Sequence, residues 1–168
     1  MSIYQNQKTT KPKPEDVAGG SLSTEKTVAI LNLVDFIRVN KVGIQWGSGN
    51  SWALSYKGKR LGYLKICIEK PNTSNYGSWL FFHNRAYLNR YYKMDECDLK
   101  TIIFEHIYAK TCGNCFTSGN KNAQKAGYMN PTDCGCYPLR IFNPDGEALE
   151  YTKQLIEYRK ICILEDSK

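Results

Sequence analysis

Apolar residues in this chain follow a helical spacing, then alternate, then return to helical spacing, and that order points to an α+β fold. Residues 1–22 stand apart. They hold few large apolar side chains and include Lys11-Pro12-Lys13-Pro14 and Gly19-Gly20. A segment that can bury little apolar surface does not offset its ordering entropy, so a flexible tail is expected here. Behind it a single domain is expected over 23–165.

The first helix is expected to start near Ser23, a good N-cap with Glu25 in the first turn, and to end by Asn40. Val28, Leu31, Val34 or Asp35, and then Ile30, Val34 and Ile37, lay an apolar stripe along it. From Val42 the runs become short and rich in aromatic and β-branched residues. Val42–Trp46, Trp52–Lys57, Arg60–Glu69 and Ser78–His83 read as four strands of an antiparallel meander. Gly47-Ser48-Gly49-Asn50 links the first two, and Gly58-Lys59 suits a type II′ turn between the second and third. Alternation places Trp52, Leu54 and Tyr56 on one face and Ala53, Ser55 and Lys57 on a wetter one.

Residues 84–93 are ambiguous. Beyond them Leu99, Ile102, Ile103, His106 and Ile107 form a helical stripe behind a capping Asp95. His106 on that stripe reads as a core histidine. Pro138 to Phe142 reads as a short strand, and Asn143-Pro144-Asp145 as the start of a last helix with Asn143 as N-cap. Leu149, Thr152, Leu155, Ile156, Arg159, Cys162 and Ile163 are its inward edge. The expected fold is therefore an antiparallel sheet of about four to five strands with helices on one face.

The most specific chemistry lies between the last two helices. Cys112-Gly-Asn-Cys115 and Cys134-Gly-Cys136 flank 18 residues, Phe116 to Asp133, that are polar and glycine-rich. Two closely spaced thiolate pairs can bend round one tetrahedral Zn2+ ion without strain. Cys112, Cys115, Cys134 and Cys136 are thus the candidate ligands of a structural zinc. The ion would tie the helix ending near Lys110 to the one starting at Pro144. A reversible dithiol, an iron–sulfur cluster and unligated thiols are the competing readings. A redox CxxC needs a strand before it and a helix after it, whereas here a helix is expected before it and a loop after it. Four cysteines fill the shell, and with His83 and His106 the only histidines, an open catalytic zinc is disfavoured. Cys67, Cys97 and Cys162 read as small buried hydrophobes.

Composition narrows the partners. A net charge of +7 makes the surface attractive to anions. The first 13 residues carry no apolar stretch of the kind a signal peptide needs, and the longest apolar run, Trp79-Leu80-Phe81-Phe82, is too short to span a bilayer. The expectation is a cytoplasmic protein with thiols reduced and no membrane partner. Nucleophile-elbow, P-loop, dinucleotide and HExxH signatures do not occur in the sequence.

Two stretches, Cys134-Gly-Cys-Tyr-Pro-Leu-Arg-Ile-Phe-Asn-Pro-Asp and Trp52-Ala-Leu-Ser-Tyr-Lys-Gly-Lys-Arg-Leu, carry a resemblance. The chain resembles a group of uncharacterised small bacterial proteins with an aromatic β-meander and a CxxC…CxC half. That resemblance implies a bacterial α+β domain and supplies no reaction.

Taken together, the sequence points to a zinc-stabilised binding protein rather than an enzyme. Trp46, Trp52, Tyr56, Tyr63 and Trp79 would face a small ligand or a protein, or form the core instead. The second reading is nucleic-acid binding through Lys57, Lys59, Arg60, Lys121 and Lys125 with exposed rings. A third is a thiol redox enzyme or sensor using Cys112 and Cys115.

Overall fold

A computed structural model describes residues 3–68, 76–83 and 139–167. Among these are four helices, α1 (Ile3–Thr10), α2 (Pro14–Ser21), α3 (Thr24–Val39) and α4 (Gly146–Glu165). Five strands join them: β1 (Gly43–Ser48), β2 (Ser51–Tyr56), β3 (Lys59–Cys67), β4 (Ser78–His83) and β5 (Leu139–Phe142). The chain divides into two compact units, Met1–Phe82 with Ile141–Lys168, and His83–Arg140. The first contains nearly all the described residues.

The strands form one five-stranded sheet in the order β1-β2-β3-β4-β5, and the β1–β2 and β2–β3 pairs are antiparallel. This is the expected α+β meander. Its most deeply buried face carries Trp52, Leu54, Leu64, Ile66, Trp79 and Phe81, all at the floor of solvent exposure. α3 packs on β1, α4 on β3, and the two helices pack on each other. Of the stripe expected on α3, Ile30, Val34 and Ile37 are buried together with Leu33, whereas Leu31 is half-buried and Val28 is exposed. Every residue expected on the inner edge of α4, from Leu149 to Ile163, is buried.

The N-terminal segment departs from expectation. Residues 3–10 and 14–21 are helical, and α1 contacts β1 while α2 contacts α3 and β3. Polar clips compensate for its scarcity of apolar side chains. Gln7 is buried and its amide brackets Asn50: Nε2 donates to Asn50 Oδ1 at 2.6 Å, and Oε1 accepts the Asn50 backbone N–H at 2.8 Å. The indole N–H of Trp52 donates to the Pro12 carbonyl at 2.7 Å. Glu15 pairs with Arg38 of α3, and Pro14 and Ala18 are buried. Hydrogen bonds made by buried groups are costly to break, and hydrophobicity does not register them.

Three local readings also change. The turn between β2 and β3 is Lys57-Gly58, not Gly58-Lys59, with φ of 46° and 75°; two left-handed residues in succession are the type I′ arrangement. Ala53, expected on a wetter face, is buried. Asn143 does not cap the last helix, which begins at Gly146 with Asp145 as N-cap. Instead Asn143, at φ 42°, holds β4. Its backbone N–H donates to Trp79 O at 2.8 Å, and its Oδ1 accepts the Trp79 N–H at 2.9 Å.

One irregularity in β3 bears on function. Ser55 lies opposite Arg60 while Leu54 lies opposite Gly62, so Leu61 is an extra residue in the strand. Such a bulge resets the alternation of side chains. Gly62 is required beside it, because a Cβ there would sit 2.6 Å from the Phe82 carbonyl oxygen.

Candidate anion-binding surface

The type I′ turn and the start of β3 present Lys57, Gly58, Lys59 and Arg60 in succession, all exposed. Tight turns lie at the rim of a sheet, where long cationic side chains keep their charged ends in water. Among the described residues, no hydrogen bond or ion pair involves the charged ends of Lys57, Lys59 or Arg60. Among the described residues, three cations without an acidic partner therefore occupy four consecutive positions.

The bulge at Leu61 determines what Arg60 meets. In a regular strand, residues three apart project to opposite faces. Here Arg60 is opposite Ser55 and Tyr63 is opposite Ala53, and Ser55 and Ala53 share a face. Arg60 and Tyr63 thus come together, with the guanidinium carbon 4.8 Å from the ring centroid, the geometry of a cation–π contact. Tyr63 in turn stacks on Phe82 of β4 at a centroid separation of 4.8 Å and an interplanar angle of 12°. Both rings are half-buried.

The five rings, weighed in the sequence as a ligand face or as core, divide between the core and the sheet surface. Trp52 and Trp79 are core residues, 1% and 0% exposed. Trp46 lies directly opposite Trp52, half-buried, with its indole N–H 3.5 Å from Gln7 Oε1. Tyr56 is half-buried under the Lys160 ammonium, 5.3 Å from its ring centroid, and Lys160 also donates to Asn40 Oδ1. Two of the five therefore neighbour the exposed cations: Tyr63, which lies under Arg60, and Tyr56, which pairs across the strands with Lys59. The signal that escapes sequence reading is Phe82, whose pairing with Tyr63 depends on strand register.

Of the residues expected at a nucleic-acid surface, Lys57, Lys59 and Arg60 are brought together, while Lys121 and Lys125 lie outside the described residues. So do Cys112, Cys115, Cys134, Cys136, Cys97, His106 and the helix expected after Asp95. Among the described residues no group of three or more histidine, cysteine or acidic side chains is arranged to hold a metal. Of the described cysteines, Cys162 is buried and Cys67 half-buried. No described helix is long and apolar enough to cross a membrane.

No family model, curated protein or solved structure matches the chain. The resemblance carried by the cysteine and meander motifs draws no support from these comparisons.

Proposed function

We propose that this is a binding protein whose partner is a nucleic acid, held through its phosphates by the β2–β3 turn. The observation that carries the reading is the run of Lys57, Lys59 and Arg60, exposed and without an acidic partner among the described residues. A net charge of +7 acts in the same direction by drawing polyanions to the surface. Each phosphate neutralised by a lysine or arginine releases condensed counterions, which gives affinity without sequence preference.

The alternative of a ring-lined pocket for a small ligand is weakened by the burial of Trp52 and Trp79 in the core. In the same proposal, Cys112, Cys115, Cys134 and Cys136 hold a structural Zn2+. Their paired short spacings support it, and the largely polar sequence between them is the kind of segment a metal has to organise. The test of the binding claim is whether a labelled oligonucleotide binds in a salt-dependent way that is lost when Lys57, Lys59 and Arg60 are all changed to glutamine.

A further inference from the structure

We infer that Arg60 grips one phosphate by its geometry while Lys57 and Lys59 contribute only as interchangeable point charges, and that Arg60 reads a backbone phosphate rather than a base. The inference rests on the binding role of the β2–β3 turn and assigns unequal work to its three cations. Lys57 and Lys59 are flexible point charges at the tip of a hairpin. Arg60 differs because its guanidinium lies over Tyr63, and Tyr63 is itself held by stacking on Phe82.

A planar cation lying over a restrained ring gives up some of its rotational freedom before any ligand arrives. Its N–H donors lie in the guanidinium plane, and that fork matches two oxygens of one phosphate. The bulge at Leu61 is the structural device that makes this possible, since without it Arg60 and Tyr63 would project to opposite faces. Tyr63 is already engaged by both Arg60 and Phe82, so its ring serves to position the guanidinium and is not an open platform for a base. Tyr63 is accordingly a positioning residue.

The experiment is fluorescence anisotropy of the full chain with a labelled oligothymidine and, separately, a duplex of the same length. Arg60→Lys keeps the charge and removes the fork, and should weaken binding to both by about tenfold, the scale of one lost charge-assisted hydrogen bond. Lys57→Arg and Lys59→Arg should stay within about twofold of the unmodified protein, as expected of interchangeable point charges. Tyr63→Leu should match Arg60→Lys, and Tyr63→Phe, which keeps the ring, should restore binding. An Arg60→Lys protein that binds both ligands like the unmodified chain overturns the inference and leaves the turn a diffuse charge patch. A loss confined to the single strand overturns the phosphate assignment in favour of base stacking. If the triple glutamine protein binds undiminished, the turn is not the binding surface at all.

Discussion

Gln7 and Asn50, 43 residues apart in sequence, are joined by both ends of one side-chain amide, with Gln7 Nε2 on Asn50 Oδ1 and the Asn50 backbone N–H on Gln7 Oε1. Asn50 has a left-handed φ of 52°, and its carbonyl also accepts the N–H of Ile66 at 2.9 Å. The turn between β1 and β2 is therefore secured by a residue from α1. Gln7→Ala leaves a buried N–H and a buried carbonyl oxygen without partners, and should cost about 2 kcal/mol in chemical denaturation. A truly loose N-terminal segment would tolerate that change with no measurable loss.

Asn143 clips β4 through its backbone and its side chain, and two substitutions separate its contributions. Asn143→Gly retains the left-handed backbone but loses the acceptor for the Trp79 N–H, and should cost about 1 kcal/mol. Asn143→Ala adds the strain of a Cβ at φ 42°, roughly another 1 kcal/mol. Urea unfolding followed by tryptophan fluorescence measures both. Equal costs for the two changes would show that the backbone conformation is unimportant.

Lys57 is a poor residue for its own conformation, because type I′ turns favour asparagine before glycine and Lys57 has φ 46°. Lys57→Asn should therefore stabilise the fold by about 0.5–1 kcal/mol while removing one phosphate contact. Stability up and affinity down in the same protein is the signature of a residue kept for binding. Thermal unfolding and anisotropy on one preparation test it.

The zinc proposal predicts about one zinc per chain when the protein is purified without added metal, with Cys134→Ser losing the ion. Binding free energies of such sites run to about 10–16 kcal/mol, so chelation should unfold the region the metal organises. Elemental analysis with no zinc and four freely reactive thiols would contradict it.

The strands between Val42 and His83 were legible in the sequence because short aromatic and β-branched runs are set off by turn residues there, although the exact turn and the face of Ala53 were not, and the inner edge of α4 was legible because its apolar residues keep one helical spacing throughout. The N-terminal helices were not, since what holds them is chiefly a glutamine amide, an indole N–H and a backbone carbonyl, with only the small apolar surfaces of Pro14 and Ala18 beside them. Register also hides from a single sequence. The extra residue at Leu61 puts Arg60 beside Tyr63, and strand pairing puts Phe82 against that ring, so three residues readable only as scattered aromatic and basic positions become one assembly. Asn143 shows the converse limit: its side chain and φ suited both a helix cap and a left-handed clip, and the tertiary contact with Trp79 decided between them.

The binding claim is tested most directly by the salt dependence of affinity for a labelled oligothymidine, comparing the unmodified chain with the Lys57→Gln, Lys59→Gln, Arg60→Gln protein. Each single-strand phosphate contact contributes about 0.7 to the slope of log K against log salt, so loss of three contacts should flatten the slope by about 2 and weaken binding most at low salt. Identical slopes and affinities for the two proteins would contradict the assignment of the β2–β3 turn as the nucleic-acid surface.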